Sequence, residues 1–153
     1  MNTHEYWMGI ALEEAKKAVL EDEIPVGAIL VQKQSLIAFS HNLTRQRQNP
    51  LAHAEKNVIE AVLSKEKYFY DYTLYVTLEP CMMCAGLIIL SRIGTVVYGA
   101  KDKKAGACGS IYNVLKDQRF NHEPVLISGV LESECSDILK TFFRNKRNES
   151  FVK

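Results

Sequence analysis

The chain has 153 residues, with 19 lysines and arginines against 18 aspartates and glutamates, a net charge of +1. That length suits one domain, residues 1–153, whose core needs no disulfides, with the last few residues expected to be disordered. The net charge names no partner, so any nucleic-acid footprint must come from local clusters, and no apolar run approaches the roughly 20 residues that a membrane span needs.

In chain order, Trp7, Met8, Ala11, Leu12, Ala15 and Val19 recur at helical spacing, which predicts an amphipathic helix over 3–21 with Thr3 as its N-cap. Glu5, Glu13 and Glu14 interrupt that pattern, unlike a secretion leader, and the expected compartment is the cytoplasm. After Pro25, the run Val26–Val31 is too apolar for one wet face and predicts a strand buried on both. A turn near Lys33 to Ser35 leads to a second strand at Leu36–Phe39, antiparallel to the first. Residues 42–50 form a polar loop with Arg45 and Arg47, and a helix led by His53 follows, carrying Val58, Ile59, Val62 and Leu63.

A third strand, Thr73–Leu78, runs into a turn and a helix that continues through Leu87–Leu90; Val96–Gly99 is the fourth strand and should lie parallel to the third. Lys101–Ser110 is a loop, Val114 and Leu115 suggest a short helix, and Val125–Ser128 a fifth strand. Leu131, Cys135, Ile138, Leu139 and Phe142 then mark a last helix. This order predicts an α/β fold, a three-layer α/β/α sandwich around a mixed five-stranded sheet.

The chemistry centres on Leu78-Glu79-Pro80-Cys81-Met82-Met83-Cys84. The two cysteines three apart, with Pro80 just before the first, suit the opening turn of a helix, where proline is tolerated. There both sulfurs share one face, and free N–H groups and the helix dipole favour the thiolate that binds metal. Alone, the pair could be a redox dithiol or half of a four-cysteine site. Upstream, His53-Ala54-Glu55 adds an imidazole and a carboxylate. For both to face one metal, His53 must stand at or just before the helix start and Glu55 in its first turn.

Together the segments resemble the signature of zinc-dependent nucleobase deaminases. The resemblance implies one Zn2+ per subunit on His53, Cys81 and Cys84, a fourth position left for water, and Glu55 as proton shuttle. The bland alternatives are a closed zinc site completed by Cys108, Cys135 or His122, and a plain buried histidine with core cysteines. Structural sites take their ligands in close pairs, which these candidates do not form, and Cys108 and Cys135 taken singly read as small buried side chains.

Further segments extend the likeness: Leu74–Gly86, Ser91-Arg92-Ile93, Val97–Ala100, Gly106–Ser110, Phe120-Asn121-His122 and Phe142-Phe143-Arg144 resemble the bacterial tRNA-specific adenosine deaminases. That resemblance implies a cytidine deaminase-like fold, deamination of the wobble adenosine of a tRNA to inosine, a homodimer, and contacts of Asn42, Ala54 and Asp102 with the flipped nucleotide. Leu51 stands where the family usually has threonine, and the loop after Asn42 departs from the family pattern. For an anticodon stem-loop, the candidate contacts are Arg45, Arg47, Lys101, Lys103, Lys104, Phe143, Arg144 and Arg147; Phe143 beside Phe142 leaves one ring hard to bury and free to stack on a base. The competing readings are a deaminase of a free base or nucleoside, such as guanine or cytosine, and a non-catalytic zinc-binding subunit, the latter argued against by Glu55.

Overall fold

A computed structural model of the protein describes the backbone of residues 1–152 and the side chains of residues 1–150. Helix α1 (His4–Leu20) is followed by strands β1 (Gly27–Gln32) and β2 (Ser35–His41), helix α2 (Ala54–Leu63), strand β3 (Tyr72–Leu78), helix α3 (Met82–Ser91) and strand β4 (Thr95–Ala100). A 3-10 turn at Val114–Lys116, strand β5 (Val125–Ser128) and helix α4 (Glu132–Val152) complete it. The expected disorder of the last few residues concerns Lys153 and the side chains of Phe151 and Val152, which lie outside the described residues.

Alternation along the strands sets the layers. Ala28 and Leu30 of β1 join Val58, Ile59 and Val62 of α2 and Ile88 of α3 in one core, while Ile29 and Val31 join Trp7, Met8 and Ala11 of α1 and Cys135 of α4 in the other. Leu74 and Val76 against Tyr75 in β3, and Val96 and Tyr98 against Val97 in β4, repeat the division. So β1 is buried on both faces, as its unbroken apolar run requires. The result is a three-layer α/β/α sandwich around a five-stranded sheet in the order β2-β1-β3-β4-β5. Within it, β1 is antiparallel to β2 and β3, and β3, β4 and β5 are parallel.

Thr3 Oγ1 accepts the Tyr6 N–H at 3.1 Å, which makes it the N-cap of α1. Val19 is exposed and Ala18 takes its place in the core, because α1 turns an alanine-rich face, Ala11, Ala15 and Ala18, onto the sheet. This allows a close approach: a Cβ on Gly27 would stand 1.9 Å from Ala11 O and 2.7 Å from Ala15 N, so only glycine fits where β1 begins. Lys33 and Gln34 both have positive φ, the requirement of a type I′ hairpin turn. The ladder extends β2 past the apolar residues, pairing Gln32 with Ser35 and Gly27 with His41, because backbone pairing does not depend on side-chain polarity.

Candidate active site

Two helix N-termini meet beside the C-terminal end of β3. Cys81 is the N-cap of α3, in extended backbone, and its carbonyl accepts the Ala85 N–H at 2.8 Å. Pro80 therefore stands one residue outside the helix and not in its opening turn, since the chain stays extended through Cys81. His53 is the N-cap of α2 and Glu55 lies in the first turn, the arrangement that a two-residue spacing demands. No side chain of the cap residue itself caps α2; Asn42 does so from afar, its Oδ1 accepting the Ala54 N–H at 3.0 Å.

This placement aims one atom, His53 Nδ1, at both sulfurs: it lies 3.6 Å from Cys81 Sγ and 3.6 Å from Cys84 Sγ. The three ligand atoms all fall within 4.8 Å of one another, and among the described residues no other group of His, Cys, Asp and Glu comes as close. A tetrahedral ion with Zn–S of about 2.3 Å and Zn–N of about 2.0–2.1 Å separates nitrogen from sulfur by about 3.5 Å. The donor set is thus compatible with zinc in both chemistry and spacing. Cys108, Cys135 and His122, the candidates for closing the site, are not in the group; His122 Nε2 bonds Ile93 O at 2.7 Å instead.

The protonation pattern follows from burial and proximity. Interaction with Cys84, with help from His53, holds the Cys81 thiol down to about 4, and interaction with Cys81 together with burial pushes Cys84 up. Contact with Cys81 raises His53 above the usual imidazole range. Glu55 is only 4% exposed, and burial raises its carboxyl pKa, with His53 acting in the opposite direction. Burial also raises the Cys108 and Cys135 thiols.

Ala54, between His53 and Glu55 in the sequence, is buried. Asn42 is buried, and its Oδ1 is committed to α2. Asp102 shapes its own loop, Oδ1 accepting from the Lys104 and Ala105 N–H groups at 3.0 and 3.1 Å. Lys101, Lys103 and Lys104 are exposed on the same loop. Of the basic residues before His53, Arg45 pairs with Asp22, which also pairs with Lys146 of α4, and Arg47 Nη1 bonds Asn57 Oδ1 at 3.3 Å. On α4, Phe142 is buried while Phe143 is 42% exposed, and Arg144 and Arg147 face solvent.

Two buried carboxylates, invisible to motif reading, hold the loops that flank the site. Glu23 accepts from the Arg45 N–H at 3.0 Å, the Gln46 N–H at 2.9 Å and the Thr44 hydroxyl at 3.3 Å. Glu79 does the same for residues 102–110. For Glu79 the one signal in the sequence is negative, an acid inside an otherwise apolar stretch; Glu23, which follows Glu21 and Asp22, gives none.

The class that this fold and donor set define is that of the deaminases, and residues 2–147 match the MafB19-like deaminase family. The tRNA-specific adenosine deaminase of Bacillus subtilis (strain 168) is 47% identical over 151 residues, 97% of this chain and 94% of that protein. A solved structure from work on A-to-I editing by tRNA:A34 deaminases at the wobble position of transfer RNA matches with a TM-score of 0.83 at 41% identity, covering 87% of this chain and 98% of that one. The chain belongs to the family of tRNA-specific adenosine deaminases. Guanine deaminase from Nitrosomonas europaea matches at a TM-score of 0.80 over 93% of this chain and 85% of that one, but at 20% identity, a likeness of fold alone.

Proposed function

We propose that the protein hydrolyses the 6-amino group of the wobble adenosine in a tRNA, giving inosine and ammonia, with one zinc per subunit on His53 Nδ1, Cys81 Sγ and Cys84 Sγ. The observation that carries the reading is the equal 3.6 Å reach of His53 Nδ1 to both sulfurs beside the buried Glu55. Zinc, when bound, supplies the Lewis acidity that makes water nucleophilic at neutral pH. Glu55 does the proton work: its carboxylate takes a proton from the attacking water and delivers it to ring N1. A second transfer gives a proton to the amine as the C–O bond at C6 replaces the C–N bond. A carboxyl with a raised pKa suits both roles. Asn42, Ala54 and Asp102 line the nucleotide's side of the site in this reading.

The RNA partner is supported by the relatives and by charge. The exposed lysines of the loop after β4 and the exposed Arg144, Arg147 and Phe143 of α4 suit phosphates and an unstacked base of an anticodon stem-loop. Arg45 and Arg47 contribute only by exchanging their present partners for phosphate. A homodimer is supported by α3, which carries no charged residue along Met82–Ser91 and leaves Leu90 74% exposed. No helix among the described residues is long and apolar enough to cross a membrane, and the cytoplasm, where tRNA is processed, is the proposed compartment. The test is to incubate the purified protein with an adenosine-bearing anticodon stem-loop and measure inosine and ammonia, with guanine and cytosine as parallel substrates. Equimolar inosine and ammonia are expected; ammonia from a free base alone would install the rival reading.

A further inference from the structure

Glu79 lies between the end of β3 and Pro80, and it is 2% exposed. It is no part of the His53, Cys81, Cys84 group, and all its side-chain hydrogen bonds run to a single loop. Oε2 accepts the Cys108 N–H at 3.0 Å and the Ser110 N–H at 3.1 Å; Oε1 accepts the Asp102 N–H at 3.2 Å and the Ser110 hydroxyl at 2.5 Å. The backbone continues the stitching: the Glu79 N–H donates to Ala100 O at 2.8 Å and the Ala107 N–H to Pro80 O at 2.9 Å, and Cys81 bridges Gly106. A Cβ on Gly106 would meet Glu79 Oε2 at 2.3 Å and Asp102 O at 2.5 Å, so the loop closes directly over the carboxylate. The outer side of that loop presents Lys101, Lys103 and Lys104.

We infer that Glu79 is a positioning residue for the RNA substrate: its buried carboxylate presets the 101–110 loop against the turn that carries Cys81, so that Asp102 and the three lysines meet the anticodon loop already ordered. The inference rests on the reading of the protein as a tRNA deaminase. A loop held in its binding conformation forfeits less entropy when the RNA arrives, which raises affinity without adding a contact. Glutamate is needed because every loop partner is a donor. In Glu79→Gln, whichever way the amide turns, its NH2 faces either the Asp102 N–H or the Cys108 and Ser110 N–H groups, and a buried donor is left unpaired.

The experiment compares zinc-loaded wild type, Glu79→Gln and Ser110→Ala on an anticodon stem-loop over a range of salt. Glu79→Gln should keep its zinc and its kcat within about threefold while KM rises about tenfold; log KM should respond less to log salt, by about 0.7 for every phosphate the loop no longer holds. Ser110→Ala, which removes only the hydroxyl bond, should move KM the same way by about threefold, and it decides the matter should Glu79→Gln not fold. Replacing Lys103 and Lys104 together with alanine should weaken binding by a smaller factor in the Glu79→Gln background than in wild type, because Glu79 acts through them. An unchanged KM and salt slope, or a loss of kcat and zinc with KM intact, would overturn the inference and leave Glu79 a purely structural residue. Wild type failing to deaminate the stem-loop is a separate result that sinks the enzymatic reading itself.

Discussion

His53, Cys81 and Cys84 each offer one candidate ligand atom, all within 4.8 Å of one another, so on the proposed zinc site none can be spared without opening the donor set. Cys84→Ala is expected to lose zinc and activity together; metal analysis that still finds one tightly held zinc per chain would refute the ligand assignment. Glu55 ligates nothing in this scheme. Glu55→Ala should therefore keep its zinc and its RNA affinity while turnover falls by about a hundred- to ten-thousandfold for each proton transfer it assists. Single-turnover rates within about tenfold of wild type would remove it from the mechanism. These four residues are legible in the sequence because two short motifs fix their spacing at helix starts. Glu23 and Glu79 are not legible: most of their partners are backbone N–H groups more than twenty positions away, which almost any residue type supplies. Arg45 shows the same limit in reverse, since its sequence neighbours suggest a free cation and the fold supplies Asp22.

At the scale of elements, the helices and strands follow from periodicity, and the departures lie where backbone geometry overrides it. β2 runs beyond its apolar residues because the ladder with β1 continues. Pro80 stays outside α3 because Cys81 is the extended N-cap. Val19 gives way to Ala18 because α1 lies close enough to Gly27 to favour its alanine face. Helix α3 is the element whose sequence is least explained by one chain: it is apolar around its whole circumference, a pattern that belongs to a helix covered on every side. Leu90→Glu, placed at the most open point of that face, should convert a dimer to monomers while leaving one zinc per chain. Sedimentation at micromolar concentration checks this, and a wild type that is already monomeric would remove α3 as a subunit interface.

At the scale of the molecule, the donor set, the loop after β4 and the N-terminus of α2 gather at the carboxyl ends of β3 and β4, the end where open α/β sheets take ligands. Around it the protein has almost no net charge, so RNA affinity must come from local lysines and arginines and should be sensitive to salt. Replacing Arg144 and Arg147 together with alanine should make the dependence of log affinity on log salt shallower, by about 0.7 for each single-stranded phosphate no longer neutralised, without disturbing the zinc. An unaltered slope would exclude this end of α4 from the interface. The most direct measurement of the central claim maps inosine in a tRNA bearing a wobble adenosine after treatment with wild type and with Glu55→Ala matched for zinc content. The account predicts inosine at the wobble position alone with wild type and none above background with the variant. Inosine formed equally by both proteins, or tRNA left unedited while wild type releases ammonia from guanine or cytosine, would contradict it.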